Sequence, residues 1–336
     1  MPKTIDVHAH ILAEETMRMI AKEAPSLGLR LTPIDKDFAV FELGGVPYKP
    51  YPRGAWDLEA RFKDMQAAEV DMHVLSNTPQ TFLYNTDASL NATVAALQND
   101  QIAKHTKDHP DRFYGLATLP MQAPDKAAAE LKRAMTKLGL KGAQIGSNIN
   151  TKNLDDPSFE PVWAAANAHK ALMMVHPTQV AGMDRYKNYY LNNLIGNPLD
   201  STIAVASLVF GGVVERYPNI KWFFVHGGGM APWQAGRFSH GWKVRPEPKV
   251  HLKDHGPEKA MATLYYDTIL HAQPQLECLV SLVGANRVVL GSDYPYDMGM
   301  LDCVRHVRSL AINEADRAKI LHDHAAKILA KKRVMA

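Results

Sequence analysis

Five residues in this chain have the types and spacing of a metal-dependent catalytic centre. His8 and His10 form an H-x-H pair in IDVHAH, His176 ends LMMVH, His226 follows KWFFV, and Asp293 lies in VLGSDYP. Alternation along a strand puts residues i and i+2 on one face, so His8 and His10 can converge on one ion, with Asp6 on the same face but deeper. Three imidazoles and a carboxylate suit a zinc-like divalent metal and leave room for water. His8, His10, His176 and Asp293 are therefore the expected ligands, one ion per subunit. His226 is the expected acid/base residue, exchanging a proton with a water whose pKa the ion lowers. The blander alternatives for His226 are a fifth ligand or a buried imidazole satisfied by a backbone carbonyl. Gly227-Gly228-Gly229 would let substrate or backbone approach closely. They are not a phosphate loop, because Pro232 stands where G-x-G-x-x-G needs its last glycine.

Short β-rich runs that could carry these residues alternate with helical patterns almost from end to end. The runs are TIDVHAH from Thr4, DMHVLSN from Asp71, FYGLATLP from Phe113, GAQIGSN from Gly142, LMMVHPT from Leu172, IKWFFVHGG from Ile220, LYYDTIL from Leu264 and RVVLGSDYP from Arg287. Helical periodicity covers 58–68, 86–107, 125–138, 159–169 and 201–217. Eight such units predict an α/β fold, a (β/α)8 TIM barrel, whose active sites lie at the C-terminal strand ends. His8, His10, His176, His226 and Asp293 all fall at such ends. A doubly wound sheet would instead carry a glycine-rich turn after an early strand. The chain, 1–336, is expected to be one metal-dependent domain in which 13–54 is a small insertion capping the barrel mouth. That insertion contains the strand-like DFAVFEL and a turn at Gly44-Gly45. A second long connection, 179–198, is rich in Tyr and Asn, as in a loop folded over a site. The KIL and KKR ending reads as a solvated C-terminal helical segment.

With 46% hydrophobic and 22% charged residues among 336, the chain can fill a large core, and a net charge of +3 gives no nucleic-acid surface. No apolar signal core or membrane span is visible, and Cys278 and Cys303 form no C-x-x-C pair. A soluble cytoplasmic protein with a small-molecule partner is expected. His73, His105, His109, His169, His322 and His324 read as structural or surface residues. Ser147, Ser207 and Ser292 lack a G-x-S-x-G elbow.

IDVHAH, AWDLEARFKDMQAAEVD, VHP, VHGGG and VLGSDYPYDMG together resemble the amidohydrolase superfamily, in its branch of metal-dependent nonoxidative decarboxylases. The similarity runs nearly the whole length. It implies a barrel with a single Zn2+ on His8, His10, His176 and Asp293, with His226 activating the metal-bound water, and no organic cofactor. It also implies carboxylate-binding cations: Arg53, Lys49 at a position where the family has arginine, and Arg237, reaching the neighbouring active site of a homodimer. Only arginine offers a planar bidentate fork. Thr178-Gln179 replaces the family's Trp-Asp, Asn193 stands at its loop aromatic, and Tyr296 replaces a phenylalanine, all of which make the pocket more polar.

The implied reaction is loss of carbon dioxide from an amino- or hydroxy-substituted carboxymuconate semialdehyde or related aromatic acid. The same centre could serve a hydrolase or hydratase of a related acid, because function resides in the pocket.

Overall fold

The computed structural model describes residues 2–330. Among them, eight parallel strands follow one another around a barrel: β1 Ile5–Ile11, β2 Met72–Asn77, β3 Phe113–Gly115 continued as Ala117–Thr118, β4 Gly142–Gly146, β5 Leu172–His176, β6 Lys221–Phe224, β7 Tyr265–Asp267 and β8 Val288–Val289. Each lies inside one of the eight predicted runs, except that β1 continues one residue past its run to Ile11. Neighbours in sequence are neighbours in space throughout. The barrel closes where Val7 donates its N–H to Leu290 O at 2.8 Å and His10 to Tyr294 O at 2.7 Å. β1, β2, β4 and β5 are buried along their whole length. β5, LMMVH, is accordingly apolar almost throughout, whereas β1, IDVHAHI, alternates and buries Asp6, His8 and His10 on one face.

Helices form the outer layer. Leu58–Ala67 and Ala88–Asp108 begin where Asp57 and Asp87 accept the first free backbone N–H groups. The helix expected over 201–217 starts earlier, at Asn197, with Pro198 in its first turn, and stops at Phe210. Gly211 and Gly212 then break it before Val213–Arg216. Gly212 has a φ of 68°, and a Cβ on Gly211 would lie 2.4 Å from Asp155 Cβ.

The segment after β1 holds a helix, Glu14–Glu23, that periodicity did not reveal. It continues as an antiparallel sheet of Arg30–Pro33, Phe38–Leu43 and Val46–Pro52, turning at Gly44-Gly45 as expected. Met17, Ile20, Phe41 and Tyr51 pack on Leu83 and Val94 from the barrel and reach Tyr296. The C-terminal helical segment, ending in His324–Leu329, is not simply solvated. Ala325, Ile328 and Leu329 are buried against Ile5 and Val7, closing the base of the barrel. The Lys331-Lys332-Arg333 portion lies outside the described residues. No described helix is long and apolar enough to cross a membrane.

Between sheet and helices, Trp163 of Glu160–His169 is fully buried, 5.1 Å from the Trp222 ring of β6, and donates its Nε1–H to Leu154 O at 3.1 Å. Trp163→Ala is expected to lower the unfolding free energy by about 3–5 kcal/mol through cavity formation. An unchanged urea midpoint would contradict this account of the layer.

Candidate metal centre

All five residues singled out for chemistry meet at the C-terminal mouth of the barrel. His8 and His10 are completely buried, and their Nε2 atoms lie 3.0 Å apart. Asp293 Oδ1 is 3.0 Å from His10 Nε2 and 3.2 Å from His8 Nε2. Asp293 Oδ2 is 3.2 Å from His226 Nε2. The His176 ring stands 5.5 Å from His8, 5.1 Å from His10 and 5.4 Å from His226. One donor atom from each of His8, His176, His226 and Asp293 falls within 4.8 Å of the others. His10 joins them through its contacts with His8 and Asp293.

The hydrogen-bond partners decide which nitrogens are free. His8 Nδ1 faces Asp267 Oδ2 at 2.8 Å, His10 Nδ1 faces Asn77 O at 3.2 Å, and His176 Nδ1 faces Pro177 O at 3.0 Å. Each partner oxygen accepts a proton from Nδ1, so a neutral ring keeps its lone pair on Nε2. His176 Nε2 is buried with no partner. Lone pairs converging beside a carboxylate fit a cation, and the nitrogen and oxygen donor set suits a divalent transition metal.

Charge on these groups follows the same logic. Burial opposes protonation of His8, but Asp293 and Asp267 outweigh it and raise its pKa to about 10. Burial instead pushes His10 down and His176 well down. Burial also opposes ionisation of Asp293, yet His8, His10 and His226 hold its carboxyl well below the usual range. The spot therefore favours positive charge.

Asp267, at the end of β7, was missed in the sequence. Besides His8 Nδ1 it accepts the backbone N–H of His226 at 3.0 Å, Gly227 at 2.8 Å and Ile269 at 3.1 Å. It thereby ties the His8 ring to the turn carrying His226. His226 and Asp293 both adopt left-handed backbone, with φ of 54° and 57°, which costs about 1–3 kcal/mol each for residues with side chains. Gly228 and Gly229 serve protein packing: a Cβ on them would lie 2.5 Å from the Tyr266 ring and 2.1 Å from Pro198 O.

The expected anion-binding residues are more dispersed. Tyr296 reaches the centre, its ring 5.4 Å from that of His10, and its hydroxyl donates to Gln80 Oε1 at 2.6 Å and touches Thr78 Oγ1. Gln80, with Leu43, Tyr48, Tyr84, Thr178 and Gln179, borders a cleft of about 400 Å³ between the insertion and the barrel loops. Arg53 is half exposed and held by Asp57 at 2.7 Å and by Lys36 O at 3.3 Å. Lys49 is exposed on the insertion, and Arg237 is exposed on Ala231–Val244.

Comparison with known proteins agrees with this architecture. A family model described as amidohydrolase matches residues 5–331, and the chain belongs to that family. It is 34% identical to a 2-amino-3-carboxymuconate-6-semialdehyde decarboxylase of Dictyostelium discoideum, over 97% of this chain and 91% of that protein. Its fold is that of 5-carboxyvanillate decarboxylase from Sphingomonas paucimobilis, with a TM-score of 0.83, 22% identity, and coverage of 98% and 99% of the two chains. A dihydroxybenzoic acid decarboxylase from Polaromonas, solved with bound manganese and 2-nitroresorcinol, gives 0.79 and 22%, covering 98% of this chain and 97% of its own. The fold is thus a TIM barrel.

Asp267→Asn is expected to weaken divalent-metal binding about 10–100-fold, as loss of a partner orienting a ligand does. Competition against a chromogenic chelator measures this, and wild-type affinity in the variant would refute the role.

Proposed function

We propose that this chain is a zinc-dependent nonoxidative decarboxylase of an amino- or hydroxy-substituted carboxymuconate semialdehyde or related aromatic acid. The observation that carries the reading is the convergence of the His8, His10 and His176 Nε2 atoms on Asp293, with His226 beside them. The Dictyostelium relative's activity supports the substrate class. His8, His10, His176 and Asp293 would hold one ion. Bound there, a divalent ion supplies Lewis acidity that stabilises developing negative charge.

The chain's own groups must orient the acid and manage a proton. As the carbon–carboxylate bond breaks, its electron pair stays on the substrate carbon and carbon dioxide leaves. A proton must then reach that carbon. The His226 Nε2–H faces Asp293, while its Nδ1 is buried without a partner, so the ring can accept and release protons inside the site. Tyr296 walls the centre beside His10. Arg53, Lys49 and Arg237 supply cations for carboxylates, with 13–54 as the cap of a single domain. No organic cofactor enters.

A homodimer belongs to the same reading. Arg237 shares its helix with exposed Trp233, and exposed Leu194 and Ile195 lie in the turn leading into Asn197–Phe210. Exposed apolar side chains suit self-association, and Arg237 would then reach the partner's site. Cytoplasmic location is supported by two free cysteines.

The zinc-loaded protein is expected to release carbon dioxide from 2-amino-3-carboxymuconate 6-semialdehyde or from a panel of hydroxy- and aminobenzoates, and a chelator should abolish the release. His226→Ala should reduce turnover by about 10²–10⁴ with the metal retained. Products heavier by one water, or cleaved by it, would point instead to a hydratase or hydrolase. Arg237→Ala mixed with Asp293→Ala should recover about a quarter of wild-type activity in randomly paired dimers. An inactive mixture that contains heterodimers would exclude a shared site.

A further inference from the structure

Beneath the ligands lies a second buried group that the reaction does not use. Arg61, from Leu58–Ala67, is entirely inaccessible to solvent, as is Asp6, and His73 nearly so. Arg61 donates Nε–H to Gly54 O at 3.0 Å, Nη2–H to His10 O at 2.5 Å, and Nη1–H to His73 Nδ1 at 3.2 Å. A guanidinium has no acceptor, so His73 Nδ1 must be unprotonated and the neutral ring carries its proton on Nε2. That nitrogen faces Asp6 Oδ2 at 3.4 Å. Asp6 Oδ1 accepts the N–H of His8 at 2.9 Å and of Ser292 at 3.1 Å, and Oδ2 accepts Ser292 Oγ–H at 2.5 Å.

We propose that Arg61, His73 and Asp6 form a positioning network that sets the backbone bearing His8, His10 and Asp293 for one divalent ion. The proposal rests on the metal reading above and adds residues that touch neither ion nor substrate. Arg61 and Asp6 face each other across the imidazole, which transmits the contact because it accepts on one side and donates on the other. The attachment points are specific: the carbonyl of one ligand residue, the N–H of another, and the N–H of the residue before the third. A buried cation serving only stability would not need to grip ligand residues at these atoms.

The test compares the wild-type chain with His73→Leu and His73→Gln. Leucine removes both polar contacts, whereas one glutamine amide can accept from Arg61 and donate to Asp6. Dissociation constants for zinc, measured by chelator competition on folded protein, should rise about 10–100-fold in His73→Leu. They should return to within about threefold of wild type in His73→Gln. At saturating zinc, kcat should fall in His73→Leu with KM little changed. Wild-type zinc affinity and kcat in His73→Leu would overturn the proposal, and so would a loss that glutamine does not recover. Should His73→Leu fail to fold, Ser292→Ala decides, since it removes a single oxygen: weaker zinc binding is expected, and unchanged binding overturns the proposal. A wild-type chain that binds no divalent ion removes the metal reading itself.

Discussion

The structure depends on one electrostatic constraint: imidazole lone pairs and a carboxylate are buried together and aimed at the same point. With both rings neutral and protonated on Nδ1, the His8 and His10 Nε2 lone pairs would face each other at 3.0 Å without a proton between them, and a carboxylate taken out of water is costly to leave uncompensated. Positive charge at that point relieves both. The protein must therefore stop the rings from turning away, which it does by occupying Nδ1 of His8, His10 and His176 with an oxygen acceptor.

Buried carboxylates recur as the means of holding the strand ends. Asp6 joins the ends of β1 and β8, and Asp267 joins β7 to the turn after β6 and to His8. Asp200 accepts from Ala181 N at 3.1 Å and Asn148 Nδ2 at 2.9 Å and contacts Ser147. Ser147 in turn gives its N–H to His176 O at 2.8 Å. Hydrogen bonds to charged acceptors contribute about 1.5–3 kcal/mol each. Several of them suffice to offset the left-handed backbone at His226 and Asp293, so the strained turns and the buried carboxylates belong together.

The residues that converge at the barrel mouth were legible because their signal is local: polar residues where the strand ends. The same signal was present at Asp267, which ends an apolar run in LYYDTIL, but its meaning lies in a partner 259 residues away. His73 read as bland for the same reason. Its importance comes from Arg61 and Asp6, and no periodicity brings those three together. Glu14–Glu23 escaped notice because it lies within 13–54, read as an excursion and not as part of the strand-helix alternation, although its buried Met17 and Ile20 stand at helical spacing. The terminal helix misled in the opposite way: Ile328 and Leu329 beside lysines resemble a solvated end until the barrel base is seen above them.

Departures from the family pattern fall on the walls rather than on the centre, and the structure shows why that separation is possible. Thr178-Gln179 and Tyr296 border the cleft and the mouth, whereas the backbone of His8 and His10 is gripped from below by the buried Asp6 and Arg61. The Tyr296 hydroxyl is already engaged by Gln80 and Thr78, so the substitution adds less free polarity than its composition implies. It instead couples the wall to the loop after β2, on which the insertion rests. Under the decarboxylase reading, chemistry is preset in the buried layer, while discrimination among acids falls to Arg53, Lys49 and Arg237. These cations sit on exposed segments that can diverge without disturbing the metal ligands.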